Sequence, residues 1–151
     1  MAAGRDGRIT TSQLLTRINS AKSFEEAISW HKTAQQPSFS ALLYEMMDQK
    51  KLTAKELIAL TEIDRSYFYH ILSGEKHPGR NMVLRIALCM KLTATDCNRL
   101  LRLAGTSELY PRIRRDAIII YALHNKCGMA ACNELLLQQG EQPLYRENSN
   151  D

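Results

Sequence analysis

Four cysteines are the residues of this chain best suited by type to metal binding or redox chemistry. Zinc sites of the finger or ribbon type place two cysteines two to four residues apart and then repeat the pair. Here seven residues separate Cys89 from Cys97 and four separate Cys127 from Cys132, with His124 just before the second pair. These spacings do not favour zinc. We therefore expect reduced thiols packed in the interior, with no metal and no other cofactor.

The densest basic run is Pro111-Arg112-Ile113-Arg114-Arg115. Pro111 suits the first turn of a helix, where three guanidinium groups could form an anion-binding rim. Cations oppose the helix dipole at that end, so an acidic neighbour is expected. The run could contact an acidic partner, extend a nucleic-acid footprint, or pair with Glu108 and Asp116. We favour the pairing.

Motifs typical of enzymes are not found in the sequence. It has no glycine loop for phosphate binding, no paired-histidine metal motif and no nucleophile elbow. The four histidines, at positions 31, 70, 77 and 124, are scattered, and none has a sequence neighbour that suggests a catalytic dyad. We therefore expect a binding protein rather than an enzyme.

The strongest local pattern begins at Leu52 and predicts a short helix. Thr53 and Glu56 have the capping-box spacing, in which each side chain satisfies an amide at the helix start. Leu57 and Leu60 are predicted to face inward. The three residues Thr61-Glu62-Ile63 then form a tight turn, with Ile63 as the apolar residue between this helix and the next.

A second short helix is predicted directly after this turn. Asp64 is a good N-cap, and Phe68, Ile71 and Leu72 fall on one face of the helix. Gly74 stands where a left-handed residue would end it. The two helices together form the pattern of a helix-turn-helix, whose second helix can lie in the major groove of DNA.

At these positions the sequence resembles the lambda-repressor/Cro-like (XRE-type) helix-turn-helix family. The matching residues are Thr53, Glu56-Leu57, Ile63, Asp64-Arg65-Ser66, Ile71, Gly74, Lys76 and Pro78. Two positions depart from the family. Ala54 stands where the family often has a glutamine that contacts a phosphate, and Glu62 stands where the turn usually has glycine. The resemblance covers about residues 38–105.

The resemblance implies specific contacts with double-stranded DNA. The residues implied to face the bases are Arg65, Ser66, Tyr69 and His70, and those implied to face phosphates are Thr53, Lys76, His77 and Arg80. Of these, Arg65 could bind guanine with two hydrogen bonds. Proteins of this family generally bind two-fold operators as homodimers, so half-sites about one helical turn apart are expected.

Helical patterns continue on both sides of the helix-turn-helix and predict an all-α fold. Residues 1–37 are predicted to contain two helices, Thr11 to Ala21 and Ser23 to Thr33, which could be a packing extension or an arm for dimerisation or for binding a protein partner. Residues 38–105 form the predicted five-helix domain, whose first helix runs from Ser38 to about Lys50. The segment 106–145 is predicted to be a helical hairpin packed on this domain, and 146–151 a loose tail.

That C-terminal hairpin repeats the preceding one. A shift of 35 positions aligns residues 80–110 with residues 115–145 and pairs identical residues at eleven positions. Among these pairs are Arg80 with Arg115, Cys97 with Cys132, Asn98 with Asn133, Gly105 with Gly140, and Tyr110 with Tyr145. Such a unit usually buries its apolar face against a neighbouring copy, so we expect the two hairpins to pack directly on each other.

Composition sets the remaining expectations. The 151 residues are 44% hydrophobic and 24% charged, which is ordinary for a globular protein, and the net charge of +4 leans toward an acidic partner. No apolar run approaches the length of a membrane span, and the N-terminus resembles no secretion signal. A cytoplasmic transcription regulator is thus expected. The alternative is a protein-interaction module that keeps the scaffold and does not read an operator.

Overall fold

The computed structural model describes residues 10–29 and 37–146, and every regular element in these ranges is an α-helix. The predicted all-α class is therefore confirmed. The helices are α1 (Thr11–Ser20), α2 (Phe24–Ile28), α3 (Phe39–Lys50), α4 (Ala54–Thr61), α5 (Arg65–Ser73), α6 (Arg80–Cys89), α7 (Ala94–Leu103), α8 (Arg114–His124) and α9 (Met129–Gln138). The chain divides into two compact units, Met1–Pro37 and Ser38–Asp151.

The N-terminal unit contains α1 and α2, neither of which buries a residue. A complete capping box starts α1, because Thr10 accepts from the Gln13 amide and Gln13 accepts from the Thr10 amide. At α2, Ser23 accepts from the Glu26 amide, whereas the Glu26 carboxylate accepts from Lys22. The second predicted helix was placed as far as Thr33, but α2 ends at Ile28. Residues 30–36 lie outside the described ranges, as do 1–9 and 147–151.

The larger unit is built around one apolar core to which each of the helices α3 to α9 contributes. Five residues of α3 are buried at helical spacing, as the sequence pattern predicted: Phe39, Leu42, Leu43, Met46 and Met47. Helix α3 packs against α5 and α7, while α4 packs against α5 and α6. This burial holds the short helices α4 and α5 in place, since helices of about nine residues are only marginally stable alone.

Helices α6 and α7 form a first hairpin, and α8 and α9 form a second with the same internal contacts. Asn98 accepts a 2.8 Å hydrogen bond from the Leu109 amide, and its equivalent Asn133 accepts one of 2.8 Å from Leu144. The loops between the helices share a left-handed lysine, with φ of 55° at Lys91 and 56° at Lys126. The sequence repeat is therefore also a structural repeat.

The two hairpins contact each other reciprocally. Arg80, which begins the first hairpin, binds Asp116 of the second, while the equivalent Arg115 binds Asn81, the counterpart of Asp116. Helix α6 likewise lies against α9 just as α8 lies against α7. Reciprocal contacts of this kind define a two-fold relation between equivalent units, so the hairpins are related by a pseudo-two-fold axis.

The basic run pairs differently from the prediction. Helix α8 begins at Arg114, three residues after Pro111. Asp116 binds Arg80, and Glu108 binds Arg102 at 3.0 Å, so neither carboxylate pairs with the run. Arg115 instead donates to two carbonyl groups of the loop after α9, at Gln142 and Pro143. The prediction missed that the acceptors of Arg115 come from the end of its own hairpin and, at Asn81, from the first hairpin.

Candidate functional site

Helices α4 and α5 are joined by the three residues Glu62, Ile63 and Asp64. Ile63 is buried in this connection, as predicted, and the Asp64 carboxylate caps α5 by accepting from the Tyr67 amide at 3.0 Å. Phe68, Ile71 and Leu72 anchor α5 in the core. Leu60 was predicted to face inward, but half of its surface is exposed. The orientation of α5 is thus fixed from one side, which leaves its opposite face open.

The exposed face of α5 carries the four residues implied to contact bases. Arg65, Ser66, Tyr69 and His70 are all exposed, and they lie in the first two turns of the helix. The Arg65 guanidinium carbon lies 5.7 Å from the centre of the Tyr69 ring. This cation–π contact keeps the charge of Arg65 on the outer surface of the helix, and it leaves the five N–H donors of the guanidinium directed to solvent or a ligand.

His70 is engaged with a neighbouring carboxylate. Its Nδ1 atom lies 2.6 Å from Oε2 of Glu75, and both side chains are about half or more exposed. The other ring nitrogen remains available to a ligand. Glu62, Asp64 and Glu75 are also exposed around α5, so this surface has mixed charge rather than a continuous positive potential.

The loop after α5 brings two further predicted residues beside the helix. Gly74 ends α5 with φ of 87°, and the Lys76 amide then donates to the His70 carbonyl at 3.1 Å. This pattern closes the helix tightly. Lys76 and His77 are exposed immediately beyond it, at the C-terminal end of the face that begins with Arg65.

The start of α4 supplies a possible anion contact. Thr53 is exposed, and its hydroxyl oxygen accepts from the Glu56 amide at 3.2 Å. The hydroxyl hydrogen can still be donated to a ligand. Backbone amides at a helix N-terminus also favour an anion, although Glu56 in the first turn already provides one negative charge.

Arg80 is the one predicted phosphate contact that the geometry does not favour. Its guanidinium makes two hydrogen bonds to Asp116 and one each to the carbonyls of Ser107 and Glu108. Four of its five N–H groups are therefore used within the protein. We assign Arg80 to the contact between the two hairpins and exclude it from the candidate site.

The turn between α4 and α5 is supported by Arg85, which the sequence analysis missed, and by Thr61, which it placed in the turn but which is the last residue of α4. Arg85 on α6 donates a 2.6 Å hydrogen bond to the carbonyl of Thr61, the last residue of α4. A positive charge is favourable there because the C-terminal end of a helix carries the negative end of its dipole. Thr61 is fully buried, and its hydroxyl donates to Leu57 and accepts from Ile63. An arginine within the apolar stretch from Met82 to Cys89 was the available signal for Arg85.

The cysteines are all free thiols, and Cys97 and Cys132 are fully buried at equivalent positions of the two hairpins. Burial raises the pKa of each of these two thiols to about 12 and that of Cys89 to about 11. Protonated thiols are poor metal ligands and poor nucleophiles. Within residues 10–29 and 37–146, no group of three or more His, Cys, Asp or Glu side chains is placed to hold a metal ion.

Comparison with protein-family models, with curated proteins and with solved structures gives no significant match. A search of the described helices finds none that is both long and apolar enough to cross a bilayer. In the absence of a match, the assignment of the candidate site depends on its geometry and on the local residue pattern.

Proposed function

We propose that this protein binds double-stranded DNA sequence-specifically, as a transcription regulator, with α4 and α5 acting as a helix-turn-helix. One observation carries the proposal. Arg65, Ser66, Tyr69 and His70 share the exposed side of a nine-residue helix whose other side is anchored in the core. The major groove of B-DNA, about 12 Å wide, admits an α-helix presented in this way.

In this proposal Arg65 is the main reading residue. It lies at the first position of α5, beside the turn, and its fork of donors matches the two acceptors on guanine. Tyr69 supports the guanidinium from one turn later and can contact a thymine methyl group. Ser66 and the free ring nitrogen of His70 would supply the remaining polar contacts.

Phosphate contacts would come from both ends of the α4–α5 unit. Thr53 and the first amides of α4 form one contact, and Lys76 with His77 forms the other. Both sets are exposed. Each cation neutralising a phosphate contributes to a steep salt dependence of affinity. Base contacts add discrimination between sequences, whereas phosphate contacts position the protein.

The test is selection of binding sites from random duplex DNA, followed by affinity measurements with variants. Arg65→Ala should lower affinity for the enriched site by about 5- to 100-fold, corresponding to about 1–3 kcal/mol, and should relax the base preference. The matched control is Arg102→Ala, which removes an exposed arginine from α7. An enriched motif that survives Arg65→Ala, or no enrichment at low salt with folded protein, would contradict the proposal.

The second candidate is a protein-interaction module on the same scaffold. The mixed charge around α5 favours it, since Glu62, Asp64 and Glu75 would all oppose a phosphate backbone. Glu75→Gln separates the two candidates, because it removes one opposing charge and weakens the contact between Glu75 and His70. DNA affinity should rise about 2- to 5-fold at low salt if DNA is the ligand, whereas Glu134→Gln on α9 should have a smaller effect. Unchanged, negligible DNA affinity in both variants would favour the protein partner.

A further inference from the structure

An open groove lies between α8 and α9 of the second hairpin. It encloses about 330 Å³ and is lined by Arg114, Ala117, Ile118, Tyr121, Leu135 and Gln139. Tyr121 is 58% exposed. Four of the lining residues lie on α8 at positions i, i+3, i+4 and i+7, which is the stripe by which one helix packs on another.

In the first hairpin, residues equivalent to this stripe are buried. The counterparts of Ile118 and Tyr121 are Val83 and Ile86, both fully buried. Helices α4 and α3 pack against α6 and α7 respectively, so the first hairpin is covered by helices. The same element of the repeat is therefore a buried helix-packing face in one hairpin and an exposed groove in the other.

The stripe on α8 is complementary to itself. Arg114 carries a positive charge at one end, Tyr121 presents an aromatic ring at the other, and Ala117 with Ile118 lies between them. Arg114 and Tyr121 of one chain are about 10 Å apart along the helix, but antiparallel pairing of two α8 helices would bring each arginine beside the tyrosine of the other copy. A two-fold interface requires such a self-complementary patch.

We propose that the α8–α9 groove is a homodimer surface, in which two copies of α8 cross antiparallel about an axis between Ala117 and Ile118. Each Tyr121 packs on the far end of the other groove, where Arg114 donates a 2.5 Å hydrogen bond to the side-chain oxygen of Gln139. Ala117 permits close approach of the two helices, and Arg114 covers the incoming aromatic ring. The proposal is independent of DNA binding, and its tests use protein alone.

The first test measures self-association of the full chain by sedimentation equilibrium. An interface formed by this one helix stripe would lie at the low end of the usual size range, so a weak dimer is expected. Ala117→Glu places two carboxylates beside the axis and should raise Kd at least tenfold. Ala130→Glu, on an exposed part of α9 away from the groove, is the matched control and should leave Kd within about twofold.

A second test fixes the direction of pairing. Arg114→Cys and Tyr121→Cys chains, with tags of different size, are mixed and oxidised. The antiparallel dimer brings positions 114 and 121 of different copies together, so mixed disulfides should exceed either homodimeric product. Two copies of position 114 would be about 10 Å apart, beyond disulfide reach. The wild-type chain reports any background from its own thiols.

These results can overturn the proposal in two ways. A chain that remains monomeric to about 1 mM would exclude the proposed dimer, because its binding free energy would then be weaker than about −4 kcal/mol. A dimer that is unaffected by Ala117→Glu and forms no mixed disulfide would place the interface elsewhere. Circular dichroism of each variant verifies that lost association does not reflect lost folding.

Discussion

Arg80 and Asp116 form a two-point ion pair between the two C-terminal hairpins, with nitrogen–oxygen distances of 2.8 and 3.1 Å. Asp116 is almost completely buried and also accepts from the Tyr110 amide at 2.9 Å. Removing one partner of a buried pair leaves the other charge uncompensated. Asp116→Asn should therefore lower the free energy of unfolding by about 3 kcal/mol, measured by urea denaturation.

The matched comparison for this pair is Glu108→Gln. Glu108 binds Arg102 at 3.0 Å, and about half of each side chain is exposed. Solvent screens such a pair, so its loss should cost less than about 1 kcal/mol. If both variants lost the same free energy of unfolding, the buried Arg80–Asp116 pair would contribute no more to stability than an exposed pair.

Glu62 has a left-handed backbone conformation, with φ of 57° and ψ of 24°. This conformation costs a non-glycine residue about 1–2 kcal/mol. Glu62→Gly should accordingly raise the free energy of unfolding by up to about 1 kcal/mol, after allowance for the greater entropy of glycine in the unfolded chain. Thermal or urea denaturation measures the change.

Lys55→Gly is the control for the turn, because it introduces glycine at an exposed position inside α4. There the same residue should destabilise the protein by about 1 kcal/mol. Changes of opposite sign in the free energy of unfolding for the two glycine substitutions would verify that the backbone at Glu62 is strained. A loss of stability in Glu62→Gly would contradict it.

The two asparagines of the repeat allow a test of burial within one motif. Asn133 is 3% exposed and bonds both the Leu144 amide and the Tyr145 carbonyl, whereas Asn98 is only half-buried and bonds the Leu109 amide. Asn133→Ala should cost about 1–3 kcal/mol because it leaves a buried amide without a partner. Asn98→Ala should lower the free energy of unfolding by less, measured in the same way. The reverse order would contradict the prediction.

The buried thiols predict a loss of stability in alkali. Cys97 and Cys132 have their pKa raised from 9.0 to about 12, chiefly by burial. Above about pH 9 the unfolded chain releases these protons and the folded protein does not, so stability falls as pH rises toward about 12. Each thiol contributes up to about 1.4 kcal/mol per pH unit.

The Cys97→Ala, Cys132→Ala double variant checks this dependence. It should be less stable at pH 7, because two buried side chains are shortened, yet its stability should decline less steeply between pH 9 and pH 11. Parallel declines for the variant and the wild type would contradict a role for these thiols. Thiol titration of native and unfolded protein provides an independent measurement.

Local patterns in the sequence were sufficient to place the helices of the larger unit. The spacing of Phe39, Leu42 and Met46 identifies a buried stripe without reference to other segments, and Asp64 caps α5 by a contact within four residues. Leu60 was misplaced because the inward side of an eight-residue helix is too short a pattern to define its direction.

Long-range pairing could not be read in the same way. Arg80 binds a residue 36 positions later and Arg85 binds one 24 positions earlier. Sequence proximity instead suggested Glu108 and Asp116 as partners of the basic run. The repeat gave the correspondence between hairpins, but the axis relating them became apparent only from the reciprocal contacts of Arg80 and Arg115.

The pseudo-two-fold axis has a consequence for how the hairpins associate. Because both halves belong to one polypeptide, their association is unimolecular and does not weaken on dilution, as that of two separate chains would. The covalent link also removes the requirement that both halves keep the same sequence. Asp116 and its counterpart Asn81 differ, so that one copy of the contact is an ion pair and in the other copy an arginine binds a neutral amide.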